Sequence, residues 1–197
     1  MASSEASEVR QRIIQAATNL FVSRGYPGIS MREIAEAVGV SKAGLYYHFR
    51  DKEALFLAVL TANLEHIESL IRRARQTGPT TRDQISIMVR AIFEQTTDQR
   101  AIIRLASQDL PHVNQAARVE FGRVYHEKFL GQIEDMLRDG IASGQVRRMD
   151  ASLATWVLLG MMYPFFYPAH QRELQSIDEA IDLMLAIFFD GALIDNA

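Results

Sequence analysis

The sequence predicts an all-α protein with an N-terminal three-helix helix-turn-helix domain and a larger C-terminal helical domain. Three observations predict it. Apolar residues recur at helical spacing along nearly all of the 197 residues. Prolines number five, and strand-like alternation of apolar and polar residues is scarce. Two helix-start signatures lie close together near the N-terminus, with a very short glycine-containing turn between them.

The first helix is expected from about Glu8 to Arg24, where Val9, Ile13, Ala16, Ala17, Leu20 and Phe21 form one apolar stripe. Gly25 follows as a left-handed stop, and Pro27 blocks continuation. Ser30 is placed as the N-cap of the second helix, with Glu33 three residues on as its capping-box partner. Ile34, Ala35 and Val38 give that helix its apolar face, and it stops at Gly39. Ser41 caps the third helix, on which Leu45 and Phe49 share one face. Asp51 caps a long fourth helix reaching about Arg75, with Leu55, Val59, Ala62, His66 and Leu70 along its apolar side. After the turn at 76–81, helices are expected over Arg82–Thr97, Gln99–Gln108, Asn114–Ser143, Ala151–Tyr163 and Ile177–Leu193. Breaks fall at Pro111, at Ser143-Gly144, and from Pro164 to Gln171, with Pro168 inside that last gap. The domain boundary is expected near residue 55, giving domains 1–55 and 56–197.

Composition narrows the function. About 48% of residues are hydrophobic and 23% charged, which is ordinary globular usage. Cysteine is absent, which removes disulfides, thiol catalysis and thiolate zinc sites and suits a reducing cytoplasm. The polar stretch Met1 to Arg12 does not read as a secretory signal. No charge lies between Asp150 and Arg172, but Pro164 and Pro168 interrupt that apolar run, so a core or interface helix is expected there and not a membrane span. The net charge is −3. Residues 1–60 carry seven Lys/Arg against six Asp/Glu, a balance of +1, which leaves −4 for the remainder. Such a sum does not say which face carries the basic groups. No Glu has His three residues later, His-Glu-x-x-His and glycine-rich phosphate loops are missing, and the five histidines, His48, His66, His112, His126 and His170, are scattered. Catalysis, a metal site and a cofactor are therefore not expected.

The informative unit is Ser30 to Phe49. Packing of the two short helices through Ile34, Ala35, Val40, Leu45 and Phe49 leaves one face of the third helix outside. That face carries Lys42, the small Ala43 and Gly44, then Tyr46, Tyr47 and His48. Small residues allow close approach to a DNA major groove, and Lys, Tyr and His donate to phosphates and base edges. Each residue also has a structural reading: Tyr46 as a core residue with a satisfied hydroxyl, and His48 as a partner of the carbonyls ending its own helix. Arg10 and Arg12 read as solvated. A helical protein–protein module that never touches DNA is the other reading of the same motif.

The segments Leu20-Phe-Val-Ser-Arg-Gly-Tyr26, Ser30-Met-Arg-Glu-Ile-Ala-Glu-Ala-Val-Gly-Val-Ser-Lys-Ala-Gly-Leu-Tyr-Tyr-His-Phe49 and Asp51-Lys-Glu-Ala-Leu55 resemble the tetracycline-repressor (TetR) family of bacterial regulators. The resemblance implies base-facing roles for Lys42, Ala43, Gly44 and Tyr47. It implies phosphate contacts for Tyr46, His48 and Lys52, and places Ser30 and Arg32 where the second helix meets the DNA backbone. Gly44 departs from relatives that carry Thr or Ser there. The resemblance further implies a cytoplasmic homodimer that binds a palindromic double-stranded operator. A small apolar effector, held in the C-terminal domain, would release it as a repressor, although nothing in the sequence sets repression over activation. The run Leu158 to Pro168, after Gly140-Ile-Ala-Ser-Gly-Gln145, resembles fatty-acid-responsive members, so a fatty-acid derivative is the expected class. Phe93, Phe121, Tyr125, Phe129, Trp156, Met161, Met162, Tyr163, Phe166 and Tyr167 are candidates for an apolar cavity or for ordinary core, and His66 and Arg104 for polar partners within it. The all-round apolar helix Ala151–Tyr163 and the stripe Ile181, Leu185, Phe188 and Phe189 suit a symmetric four-helix interface.

Overall fold

The computed structural model describes residues 2–167 and 176–191, and every regular element among them is helical. In chain order these are α1 Ala2–Arg24, α2 Met31–Val38, α3 Lys42–His48, α4 Lys52–Thr77, α5 Thr81–Phe93, α6 Thr97–Asp109, α7 Gln115–Tyr125, α8 Gly131–Ala142, α9 Ala151–Met162 and α10 Ile177–Asp190. Short 3₁₀ turns lie at Leu110–His112 and Tyr163–Phe166, and a π-helical segment at His126–Leu130. The expected gap at Pro168 to Gln171, His170 and the expected helix end at Leu193 lie outside the described residues.

The chain forms two units. The first contains residues 1–65 and 96–125, the second residues 66–95 and 126–197. Helix α4 contributes its N-terminal half to one and its C-terminal half to the other.

In the first unit Ile13, Ala17 and Phe21 of α1, Ile34 and Ala35 of α2, Leu45 and Phe49 around α3, and Leu55, Phe56 and Val59 of α4 are buried. Phe21 and Phe56 meet edge to face with centroids 5.4 Å apart, and the Tyr26 ring lies 4.7 Å from that of Phe56. The expected stops and starts are present. Gly25 and Gly39 take φ of 73° and 75°, the left-handed conformation that ends α1 and α2. The Ser30–Glu33 capping box is complete, Ser41 accepts from the Gly44 N–H at 3.0 Å, and Asp51 accepts from the Ala54 N–H at 2.7 Å. Arg12 is not merely solvated: its guanidinium donates to the Val38 carbonyl at 3.0 Å and so closes the end of α2. Arg10 lies over the Phe49 ring at 5.1 Å.

The apolar side of α4 differs from the expected one. Leu55 and Val59 are buried as expected, but beyond them the buried residues are Leu60, Leu64, Ile67, Ile71 and Ala74, and His66 is exposed. At about 100° per residue the expected positions 55, 59, 62, 66 and 70 keep to one face, whereas Leu60 to Ala74 lie roughly 100–180° around the helix from Leu55. The buried face of α4 therefore changes after Val59. By length and composition α4 matches a membrane-spanning helix, yet its apolar residues belong to these cores.

In the second unit α5 packs on α8, and α10 packs on α5 and α9. Ile85, Met88, Val89, Ile133, Met136, Leu137 and Leu158 are buried there. Arg82 holds Asp190 by two bonds of 2.7 Å, and Arg90 bonds Asp178 at 3.1 Å and also Asp182. These pairs fix α10 against α5. The Thr81 N–H donates to Gln145 Oε1 at 2.8 Å, and a Cβ added at Gly140 would sit 2.5 Å from Thr81 Oγ1 and 2.8 Å from Val146 Cγ2. Overpacking of this kind costs about 1–3 kcal/mol. Gly140→Ala is therefore expected to lower the unfolding free energy by about 1–3 kcal/mol, seen as a lower urea midpoint with the slope unchanged.

Helix boundaries differ from expectation where capping signals were not used. The helix expected over 82–97 ends at Phe93, because Thr96 and Gln99 form a second capping box that starts α6 at Thr97. The single helix expected over 114–143 is broken at His126–Leu130 by a change of hydrogen-bond register, with Gly122 four residues before it and Gly131 directly after it. Pro164 ends α9 as expected, within a 3₁₀ turn.

Candidate nucleic-acid interface

The site begins with two short helices, each opened by a serine. Ser30 accepts from the Glu33 N–H at 3.3 Å, and Glu33 returns by accepting from the Ser30 N–H at 2.8 Å and its hydroxyl at 2.7 Å. Arg24 completes the set, with its guanidinium 2.5 Å from Glu33. These donors, the Ser30 hydroxyl foremost and then Arg24, pull the Glu33 carboxyl down to about 2. The carboxyl ionises more readily folded than unfolded. Its contribution is thus fully present above about pH 4.5 and is lost as pH falls toward about 2. The Glu33 carboxyl resonance is accordingly expected to keep its ionised shift at pH 4, where an unpartnered glutamate is largely protonated. An ordinary midpoint near pH 4.5 would contradict the cap.

Helix α3 then stands on α2 through one buried residue, Leu45, with Phe49 closing its end. Every other side of α3 faces outward or is half-buried. Lys42, Ala43, Tyr46 and Tyr47 are exposed, with Tyr47 at 80% and Tyr46 at 42%. Neither tyrosine enters the core, so core packing does not explain Tyr46. Gly44 and His48 are half-buried. Lys42 Nζ lies over the Tyr46 ring at 5.9 Å, and Tyr47 meets His48 edge to face at 5.1 Å. A Cβ at Gly44 would approach Ser41 Oγ to 3.3 Å and crowd the cap hydroxyl, which gives a local reason for glycine there.

An open groove of about 560 Å³ runs beside α3, lined by residues 27–33 with Lys42, Tyr46 and Lys52. It brings together five of the expected contact residues: Ser30, Arg32, Lys42, Tyr46 and Lys52. Ala43, Gly44, Tyr47 and His48 lie on α3 outside that lining. Arg32 is paired with Glu36 at 2.8 Å on an exposed face. Lys52 is more committed than the sequence suggested. Its ammonium donates to the Tyr26 and Ile29 carbonyls, each at 2.9 Å, and sits 4.4 Å from the Tyr26 ring centre. Two of its three donors are used in holding the α1–α2 turn.

The expected effector residues fall into both units. In the second, Phe93 and Phe166 stack with centroids 4.9 Å apart, and Phe129 and Met162 are buried. In the first, Phe121 and Tyr125 stack at 6.4 Å, Arg104 is half-buried on α6, and burial pushes the Tyr125 hydroxyl up to about 12. Three expected residues lie elsewhere. His66 is exposed on α4, Trp156 is 54% exposed on α9, and Tyr163 is 36% exposed. Ala154, Thr155, Leu158 and Met162 take the inward side of α9, which leaves Trp156 facing out with Leu153 and Val157. No group of His, Asp and Glu with metal-binding geometry occurs among the described residues.

A short capped helix presenting Lys, Tyr and small residues outward, packed on a second capped helix across a turn of three residues, matches a helix-turn-helix DNA-binding protein. Comparison with known proteins gives the family. The profile described as bacterial regulatory proteins, tetR family, matches residues 13–59. That described as tetracyclin repressor-like, C-terminal domain, matches residues 63–164. The chain belongs to the tetR family and is a DNA-binding transcriptional regulator.

Among its relatives is the HTH-type transcriptional activator FasR of Mycolicibacterium smegmatis, 40% identical over 87 residues. That match covers 44% of this chain and 40% of FasR. The HTH-type transcriptional repressor DhaR of Mycobacterium sp. strain GP1 is 26% identical, with 94% of this chain and 92% of DhaR covered. Among solved structures, the regulator FadR from Bacillus subtilis in complex with stearoyl-CoA superposes with a TM-score of 0.81. It covers 93% of this chain and 99% of FadR at 17% identity, a likeness of fold.

Proposed function

We propose that this chain is a homodimeric repressor that reads a palindromic operator through α3 and leaves it when a fatty-acid derivative binds the C-terminal region. The exposed, non-acidic face of α3 is the observation that carries the DNA reading. Lys42 and Tyr47 are its base-facing residues, with Ala43 and Gly44 allowing close approach. Ser30, Arg32, Tyr46, His48 and the remaining donor of Lys52 meet phosphates. Residues 1–55 carry DNA binding, and residues 56–197 carry effector binding and dimerisation, in a cytoplasmic protein with no catalytic role.

Dimerisation is supported by an apolar surface in the second unit. Leu153, Trp156 and Val157 of α9, and Leu183 and Ile187 of α10, are 40–65% exposed. Their spacing forms one stripe on each helix, which suits a two-fold interface of four helices. On α10 this stripe differs from the expected one, because Ile181 and Leu185 are buried within the unit and Leu183 and Ile187 are the exposed residues. Two such protomers present recognition helices ~34–36 Å apart, one turn of DNA. The buried aromatic pair Phe93–Phe166 with Met162 and Phe129 supports an apolar effector. The fold likeness to FadR, solved with stearoyl-CoA, supports an acyl chain as its class.

Titrating stearoyl-CoA into the protein bound to a fluorescent operator duplex tests the gating. Loss of DNA binding, with DNA weakening the acyl ligand by the same factor, is the expected result. Unchanged DNA binding at saturation with acyl ligands of short, medium and long chain would contradict it.

A further inference from the structure

Residues 96–125 belong to the same unit as the three DNA-binding helices, although residues 51–95 lie between them and Arg50 in the sequence. Two polar clasps join the α6–α7 corner to that head, and they run in opposite directions. In one, Asp109 at the end of α6 reaches the turn after α1 and accepts the Tyr26 backbone N–H at 2.8 Å. In the other, Glu53 in the first turn of α4 accepts the Asn114 backbone N–H at 2.9 Å and its side-chain amide. Asn114 is at the same time the cap of α7, accepting from the Ala117 N–H at 2.9 Å. Both acceptors are carboxylates, which makes each contact stronger than a neutral hydrogen bond.

The turn that Asp109 grips is also the support of the DNA-binding face. Gly25 ends α1 there in the left-handed conformation. The Tyr26 ring packs against both Phe21 and Phe56, and Lys52 holds the Tyr26 and Ile29 carbonyls. One residue beyond Ile29 is Ser30, the cap of α2, on which α3 rests. A displacement of this turn therefore reaches α3 through covalent chain and packed side chains.

We propose that Asp109 and Glu53 are positioning residues for DNA binding. They clasp the α6–α7 corner to the α1–α2 turn and to the start of α4, so that this corner, and not α4 alone, sets the orientation of the recognition helix. The inference rests on the reading of α3 as the DNA-contacting helix.

The test uses the full chain and a duplex recovered with it from a random pool. Hydrogen exchange is measured with and without that duplex in the wild type, Asp109→Asn, Asp109→Ala and Glu53→Gln. Asparagine keeps an acceptor for the Tyr26 N–H, whereas alanine does not. In the wild type, the duplex is expected to slow exchange over 106–117 as well as over α2 and α3. Asp109→Ala is expected to bind the duplex roughly 10-fold or more weakly. Its Tyr26 amide exchanges faster, and protection over 106–117 no longer follows DNA binding. Asp109→Asn restores affinity to within about threefold. Glu53→Gln, which keeps a neutral acceptor, falls between them.

A lower melting temperature alone would not produce the loss of DNA-linked protection, nor its return in Asp109→Asn. Wild-type affinity in Asp109→Ala, with faster Tyr26 exchange proving the clasp open, would overturn the proposal while leaving the DNA reading intact. Equal loss in Asp109→Ala and Asp109→Asn would also overturn it. Failure of the wild type to recover any duplex would remove the DNA reading and this inference with it.

Discussion

Replacing Lys42 and Tyr47 together by alanine is expected to lower operator affinity by roughly 100-fold or more, with thermal stability unchanged. Both side chains are exposed and take no part in the core that holds α3, which is formed by Leu45 and Phe49. A well-placed base contact contributes about 1–3 kcal/mol, so losing one such contact in each half-site accounts for the size of the effect. The two single variants separate their roles. Where Lys42 reads a guanine, Lys42→Ala relaxes the sequence preference at that position; where it meets phosphate, binding weakens on all sequences and the salt dependence becomes shallower. Fluorescence anisotropy at several salt concentrations distinguishes the two. The T-shaped contact with His48 is the one intramolecular ring contact of Tyr47 recorded among the described residues, so Tyr47→Ala has little to disturb within the fold.

The second large effect concerns assembly. Trp156→Glu places a charge in the middle of the exposed stripe Leu153, Trp156 and Val157. Unpaired burial of a carboxylate in an apolar interface is costly enough to prevent association. Sedimentation at micromolar concentration is expected to show a monomer for the variant and a dimer for the wild type. DNA binding then loses the benefit of two linked heads, a factor of about 100-fold or more. Because Trp156 is already exposed in the isolated chain, far-ultraviolet circular dichroism should be unaltered. A dimeric Trp156→Glu variant with full operator affinity would place the interface elsewhere.

Local signals made the DNA-binding head legible and left much of the rest obscure. Ser30, Glu33, Gly39, Ser41, Asp51 and Gly25 each encode a cap or a stop within a few residues, and each is found in its expected place. The outward face of α3 followed from the buried Leu45 and Phe49 alone. The roles of Lys52 and Arg12 did not follow, because their partners are carbonyls 23 and 26 residues away, and sequence spacing carries no trace of such a bond. The same holds for Asp109 and Tyr26, separated by 83 residues. The apolar side of α4 was misplaced because leucine, alanine and isoleucine occur around most of that helix, so several stripes fit and tertiary packing chooses among them. The capping boxes Thr80–Asp83 and Thr96–Gln99 are legible in the sequence and mark the starts of α5 and α6. On α9 the excess of apolar residues was visible in the sequence, but which of them face inward was not, and Trp156 was assigned to the wrong side for that reason.

The most direct test of the central claim is selection of duplexes from a random pool by the full-length protein at two salt concentrations, followed by sequencing. The account predicts an enriched palindrome whose half-sites are centred about 10 base pairs apart or a multiple of that, with recovery falling as salt rises. Recovery of DNA without any shared sequence, or no recovery at either salt, would contradict a dimer that reads an operator through α3.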